Sequence, residues 1–532
     1  MTTEAIDTLK TGYTFDGATL ELGVALDGET PVPDVPISIP LSMLNRHGLV
    51  AGATGTGKTV TLQVLAEQLS RAGVPVFASD IKGDLSGIGA PGVASEKLTK
   101  RLEAAGQQWD PKANPTEFYT LGDSGLGTPI RATVTSFGPI LLSKVLELND
   151  TQESVLSLVF HYADKAGLAL LDLSDLQAVL TYLTSAEGKA ELEGIGGASK
   201  ATVGVILRKI AELSAQGGDV FFGEPEFDTA DLLRVDDSGA GIVSVLELQK
   251  LSQSPALFST FLMWLLADLF QDLPEVGDAD KPALVFFFDE AHLLFADASK
   301  AFLESVTQTV RLIRSKGVGV FFVTQTPKDV PEDVLAQLGS RIQHQLRAHT
   351  PNDAKALKAT VQTFPKSGYD LEELLTSLGI GEAIVTVMDP DGAPTPVAPT
   401  RMRAPESKIG PMSEDEVRAA VAASPQQKKY GTAIDNESAR EILTARLEAG
   451  AAEKDAEVKA GDSAGSGPAG TGSGGAGKVP FPEDPAPTRS KEAPKEDNLF
   501  SQVVNSSAFK QFTRTAAREI ARGIFGTSRR RR

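Results

Sequence analysis

The sequence predicts an α/β fold, a parallel-rich sheet covered by helices on both faces. Short, wholly apolar runs such as "HGLVA", "ALVFFFDE" and "VGVFFVTQ" alternate with longer segments of helical periodicity. Strands that are apolar on both faces belong to parallel sheets buried between helical layers. A glycine-rich turn joins the first such run to the first helix in "HGLVAGATGTGKTVTLQVLAEQL", as a βα unit requires.

Taken in order, residues 1–44 alternate polar and apolar ("YTFDGATLELGVAL") and read as a short N-terminal β segment. Residues 45–140 form the first part of the core. There Leu62, Leu65, Ala66 and Leu69 recur at i, i+3, i+4, i+7, Gly73 is placed to cap that helix, and "VPVFASD" follows as a second buried strand. Residues 141–235 read as a helical insertion with a break at "GIGGASK". Residues 236–405 return to alternation as the second part of the core: "GIVSVLEL", an apolar helix over 255–271, "ALVFFFDE", a helix marked by Phe302, Val306, Val310 and Ile313, then "VGVFFVTQ", "RIQHQLRA" and "EAIVTVM". A helical extension over 406–450 is followed by a disordered linker over 451–498, built around "GDSAGSGPAGTGSGGAG". The tail, 499–532, reads as a basic amphipathic helix. Phe509, Phe512, Ala516, Ile520 and Ile524 share one face, Lys510, Arg514, Arg518 and Arg522 another, and four arginines end it.

Composition narrows the function. The chain has 532 residues, 41% of them hydrophobic, which exceeds one compact domain. It has no cysteine, so disulfides, thiolate zinc sites and cysteine nucleophiles are excluded. His47, His161, His292, His344 and His349 lack metal-ligand spacing, and no transition metal is expected. The apolar runs fall short of the roughly 18 residues of a spanning helix, and the first ten residues carry no secretory pattern. A cytoplasmic location is the expectation. A net charge of −19 argues against generic nucleic-acid binding, which rests on phosphate neutralisation, and requires any such contact to use local basic groups.

"GATGTGKT" matches the phosphate-loop pattern G-x-x-x-x-G-K-[ST] without gaps. Its glycines let several backbone N–H groups turn inward onto a polyphosphate, and the helix that follows presents its positive end to the same anion. The nucleotide contacts are therefore assigned to Gly52, Ala53, Thr54, Gly55, Thr56, Gly57, Lys58, Thr59 and Val60, with ATP as the ligand. Lys58 would reach the β- and γ-phosphates, and the Thr59 hydroxyl would ligate Mg²⁺. The second half-site is "LVFFFDEAH", whose buried strand projects two acids over the carboxyl edge of the sheet. Asp289 suits the Mg²⁺ contact, and Glu290 suits polarisation of an attacking water. Gln325, ending "VGVFFVTQ", is read as a γ-phosphate sensor or water-orienting group. Asp80 either joins the acidic cluster or merely holds the turn "DIKGD". Phosphoryl transfer gains from a cation supplied in trans. Arg341 and Arg347 rank ahead of Arg311 and Arg314 for that part.

Together "NRHGLVAGATGTGKT", "DIKGDLSG", "FFFDEAHLLF", "RLIRSKGVGVFFVTQTP" and "GSRIQHQLRAHTP" resemble the HerA-like branch of the HerA/FtsK superfamily of P-loop ATPases, over about residues 10–405. The resemblance implies a RecA/ASCE-like P-loop NTPase fold, commonly a hexameric ring, with ATP at subunit interfaces and an arginine from the neighbour. It also implies that Glu290 is the catalytic base. Members with known roles move DNA.

The expected function is thus a Mg²⁺-dependent ATPase, a ring-forming helicase or DNA translocase. The alternative is an ATP-driven assembly or remodelling protein that meets a protein or membrane partner through residues 499–532. A P-loop kinase is disfavoured by Glu290 beside Asp289, by Gln325 and by the lack of an arginine-rich lid.

Overall fold

The computed structural model describes residues 3–122, 125–249, 255–277, 279–295 and 300–450. The expected linker and basic tail lie outside the described residues. Twelve strands are described. In chain order they are β1 (Thr19–Asp27), β2 (Thr30–Pro40), β3 (Gly48–Ala51), β4 (Val76–Asp80), β5 (Thr116–Leu121) and β6 (Thr128–Ile130). After a helical stretch come β7 (Val243–Glu247), β8 (Leu284–Phe288), β9 (Val318–Thr324), β10 (Ser340–His344), β11 (Glu382–Thr386) and β12 (Ala398–Met402). All join one sheet, in the order β2-β1-β12-β11-β10-β3-β9-β8-β4-β7-β5-β6.

From β10 to β6 every neighbouring pair is parallel, as wholly apolar strands predict. The remaining strands form an antiparallel wing, β10–β11–β12–β1–β2, so the sheet is mixed. The N-terminal segment is more than a short β element. It opens with a helix, Thr3–Gly12, whose Leu9 is buried, and its hairpin joins the main sheet through β12. Gly23 makes that junction possible: a Cβ there would stand 2.1 Å from the Arg401 carbonyl oxygen.

Alternation along "LVFFF" explains its composition. Phe286 and Phe288 stack on one face, with ring centroids 5.6 Å apart, while Phe287 meets Phe321 on the other at 5.3 Å. The Phe287 face is covered by the helix Lys58–Arg71, whose predicted stripe of Leu62, Leu65, Ala66 and Leu69 is fully buried against Val50, Val76 and Val323. The opposite face takes the apolar helix Pro255–Asp272, where Phe261 packs on Phe77, and Phe221 packs edge-on to Trp264. Between β6 and β7 lie the helices Val134–Val145, Asp150–Lys165, Leu173–Thr184 and Lys200–Ala215. Phe137 of the first sits edge-on to Phe222 at 5.4 Å. Residues 181–198 and 440–450 belong to a second compact unit, in which the Tyr182 hydroxyl donates to Glu191. Among the described residues no helix is long and apolar enough to cross a membrane.

Past β12 the chain crosses the helix Lys58–Arg71 and is tied to it. The fully buried Glu67 carboxylate accepts from the Glu406 and Ser407 amides and the Ser407 hydroxyl, and Arg71 pairs with Glu67 at 3.0 Å. Burial raises the Glu67 pKa; these donors oppose the rise. Truncating Glu67 would strand two buried amide donors, so Glu67→Ala is expected to cost about 3 kcal/mol in urea unfolding, whereas exposed Glu414→Ala should stay within about 0.5 kcal/mol.

Candidate nucleotide-binding site

Strand register builds the site. Ala51 of β3 lies level with Thr324 of β9, and Phe322 of β9 with Phe288 of β8. Residues that follow these strands therefore emerge along one edge: the phosphate loop, Gln325 and the acidic pair. Gln325 is exposed there, between the other two.

The loop is held by its neighbours through its backbone. The Gly52 amide donates to the Thr324 carbonyl, the Ala53 amide to that of Gln345, and the Thr56 carbonyl accepts from the Gly381 amide. Gly57 starts the helix at φ 113°, a left-handed conformation that glycine adopts without strain. At Gly52 a Cβ would stand 2.5 Å from the His344 Cβ. Thr54 and Gly55 form the exposed tip, and Thr59 and Val60 are half-buried in the first helical turn.

His344 props this loop from beneath. Its Nδ1 lies 2.9 Å from the Glu382 carbonyl oxygen, to which it must donate, so Nε2 is left to accept from the Thr61 hydroxyl at 3.0 Å. Burial lowers its pKa to about 4, which keeps the ring neutral.

Lys58 is buried, and its ammonium donates to the Ala53 carbonyl at 3.2 Å. Burial lowers its pKa; the charges of Glu290 and Asp289 pull the other way, and Lys82 adds a like charge nearby. Lys58 and the acidic pair, far apart in sequence, thus share one electrostatic cluster. Asp289 is 2% exposed and Glu290 4%. Burial, then the adjacent Glu290 charge, raises Asp289 to about 7. Glu290 goes the other way: burial opposes its charge, but Lys82, His292 and Lys58 together hold it below the usual carboxylate range. The Asp289 Oδ1 accepts from the Glu290 amide at 2.9 Å, and Glu290 stands in the left-handed region at φ 47°.

One hydroxyl, from Thr59, and one carboxylate whose charge burial disfavours, from Asp289, fit a small hard cation completed by phosphate oxygens and water. They are the residues that would hold Mg²⁺.

The remaining candidates separate. Asp80 holds its turn: its two oxygens accept from the Gly83 amide at 2.6 Å and the Leu85 amide at 2.8 Å. Arg347 lies beside its own chain's loop, donating to the Thr54 carbonyl at 3.4 Å. Arg341 sits at the opposite, amino edge of the sheet. With Arg46, Arg311 and Arg314 it lines a cavity of about 590 Å³ that has no carboxylate among its lining residues. His47 borders that cavity, with Nδ1 accepting from the Val320 amide. His292 lies with its Nδ1 3.1 Å from Glu290 Oε2.

Sequence reasoning missed Lys82, which pairs with Glu290, and the supporting part of His344. Lys82 stands in "DIKGD", whose local signal is that of its acids in a turn. Nothing local marks His344.

The family model described as "Helicase HerA-like C-terminal" matches residues 28–532. The chain belongs to this family. It is similar to the "DNA double-strand break repair helicase HerA" of Sulfolobus acidocaldarius, at 23% identity over 66% of this chain and 64% of the relative. It is also similar to the protein of that name from Saccharolobus solfataricus, at 24% identity over 71% and 67%. The chain thus spans under two thirds of the length of the first. Among solved structures, "Bacterial conjugative coupling protein TrwBdeltaN70" is similar at a TM-score of 0.50 and 16% identity, covering 76% of this chain and 94% of that one. The fold is that of the P-loop NTPases.

In this HerA-like chain the His344 prop has a pH signature. Its folded pKa, about 4, lies below the ordinary 6.5, so the unfolded chain binds more protons between those values and stability falls as pH drops through that window. Comparing urea unfolding of the wild type and His344→Gln at pH 7 and 4.5 should show the wild type losing on the order of 2 kcal/mol more than the variant, in which His47, likewise lowered to about 4, still titrates.

Proposed function

We propose that this chain is a Mg²⁺-dependent ATPase that assembles into a ring and couples hydrolysis to translocation along, or unwinding of, DNA. The observation that carries the ATPase part is the single edge shared by Lys58, Asp289 and Glu290, close enough that each feels the others' charge. The DNA part is supported by the family and by relatives named as DNA repair helicases.

Inward-facing amides of the phosphate loop bind the phosphates, and Lys58 exchanges the Ala53 carbonyl for β- and γ-phosphate oxygens. Glu290, kept ionised by its cationic neighbours, accepts the proton of the attacking water, and Gln325 orients that water from the intervening strand. Thr59 and Asp289 would hold Mg²⁺, which would supply neutralisation of charge on the phosphates.

For the ring, Arg341 is the preferred trans cation. It cannot serve its own loop from the opposite edge, and its carboxylate-free basic cavity suits a neighbour's terminal phosphate. Arg347, beside its own loop, would act in cis.

ATP hydrolysis measured with and without duplex or single-stranded DNA, at fixed salt, tests the reading. Stimulation of several-fold is expected; absence of both stimulation and salt-sensitive binding would end the DNA part and favour a protein or membrane partner. Lys58→Ala should abolish ATP binding, and Glu290→Gln should bind ATP while losing at least 100-fold in kcat, on the order of a lost general base. Arg341→Ala should lose about 10³-fold yet still bind ATP. Mixing Arg341→Ala with Glu290→Gln subunits should recover activity, because a mixed interface pairs an intact glutamate with an intact arginine. No recovery would refute the trans assignment.

A further inference from the structure

Lys82 is a cation at the acidic pair that the phosphate-loop pattern does not supply. It stands in the turn between β4 and the residues that follow, and two features fix that turn. Asp80 clamps it with both oxygens, on the Gly83 and Leu85 amides. Gly83, at φ 77°, lies so close to Gln249 that a Cβ would overlap the Gln249 amide group. From this frame the Lys82 ammonium forms an ion pair with Glu290 Oε1. The other oxygen, Oε2, faces His292 Nδ1 at 3.1 Å. Each Glu290 oxygen therefore has its own neighbour, one from the β4 turn and one from the segment after β8.

The Glu290 backbone explains why such support is needed. At φ 47° the residue sits in the left-handed region, which a side-chain-bearing residue adopts only under strain. Its carboxylate is almost wholly buried, where an unpaired charge is expensive. A group in that position stays aimed only if a partner holds it. Lys82 is 40% exposed along its side chain, so its ammonium remains reachable from the open edge where the loop lies.

We propose that Lys82 is a positioning residue for hydrolysis: it holds the Glu290 carboxylate oriented toward the attacking water, and acts only through Glu290. The proposal rests on the reading of Glu290 as the base.

The test is a double-mutant cycle on the full chain, with Lys82→Met, Lys82→Arg, Glu290→Gln and Lys82→Met/Glu290→Gln. Lys82→Met is expected to lower kcat about 10- to 30-fold with KM within twofold of wild type. Lys82→Arg should recover most of the loss, since a guanidinium also pairs with a carboxylate. The double variant should turn over no more slowly than Glu290→Gln alone, because a residue that acts only through Glu290 has nothing left to position. Binding of a fluorescent ATP analogue should be equal in Glu290→Gln and in the double variant. Wild-type kcat in Lys82→Met would overturn the proposal, as would weakened analogue binding at unchanged kcat, which would make Lys82 a phosphate ligand. A further loss in the double variant would overturn it too. If Glu290→Gln itself turned over normally, the base assignment would fall and the positioning role with it; a stalled Glu290→Gln beside an unaffected Lys82→Met removes the positioning role alone.

Discussion

The parallel pairing of β3, β9 and β8 is the constraint on which the site depends. A phosphate loop and an acidic pair are useful only if they meet at one height on one edge, and a one-residue slip would turn every side chain of a strand to the wrong face. Glycine holds this register. Gly48 lies opposite Phe321 in the β3–β9 pairing, and a Cβ there would come within 2.2 Å of the Phe321 ring. Gly319 gives the same clearance to the Leu44 carbonyl, at 2.5 Å. The bulky face of β9 thus packs over the bare backbone of β3. Sliding either strand would set a side chain against that ring.

On this frame the electrostatics follow from burial. Two adjacent acids at the end of a buried strand cannot both ionise cheaply, and the structure separates them by environment. Asp289, buried and with its acidic neighbour beside it, is pushed up toward neutrality, although its Oδ1 accepts from an amide. Glu290, turned aside by its left-handed backbone toward Lys82 and His292, is held charged. Adjacent carboxyls thereby differ in charge, as the proposed roles of cation ligand and proton acceptor require.

How much of this was legible in the sequence depended on range. The phosphate loop, its helix and the acidic strand are contiguous patterns whose reasons are local, so residues 52–60 and 284–290 could be read directly. "LVFFF" announced burial on both faces, which the ring contacts of Phe286, Phe287 and Phe288 bear out. The antiparallel wing was not legible. Strands as short as Glu382–Thr386 and Ala398–Met402 find their partners across the whole chain, down to Gly23 against Met402, and no local period encodes that. The first helix left a weak signal in the spacing of Ile6, Leu9 and Tyr13, obscured by the alternating residues that follow it. Lys82 was hidden for a different reason: its partner Glu290 lies on another strand, and a lysine in a turn reads as solvated until the sheet brings the two together.

Net charge is uninformative about any one site for a related reason. A sum of −19 describes the whole surface, whereas the field at any ligand depends on placement. Arg46 precedes β3, Arg314 precedes β9 and Arg341 opens β10, and these are consecutive strands in the order β10-β3-β9. Parallel neighbours start on the same side, so the topology converts three scattered residues into a basic row along the amino edge. The same strands carry the phosphate loop and Gln325 at their carboxyl ends. A β-strand is a short rigid rod whose two ends move together, and β3 has only four residues between one edge and the other. The basic row at one edge and the phosphate loop at the other are thus built on the same strands.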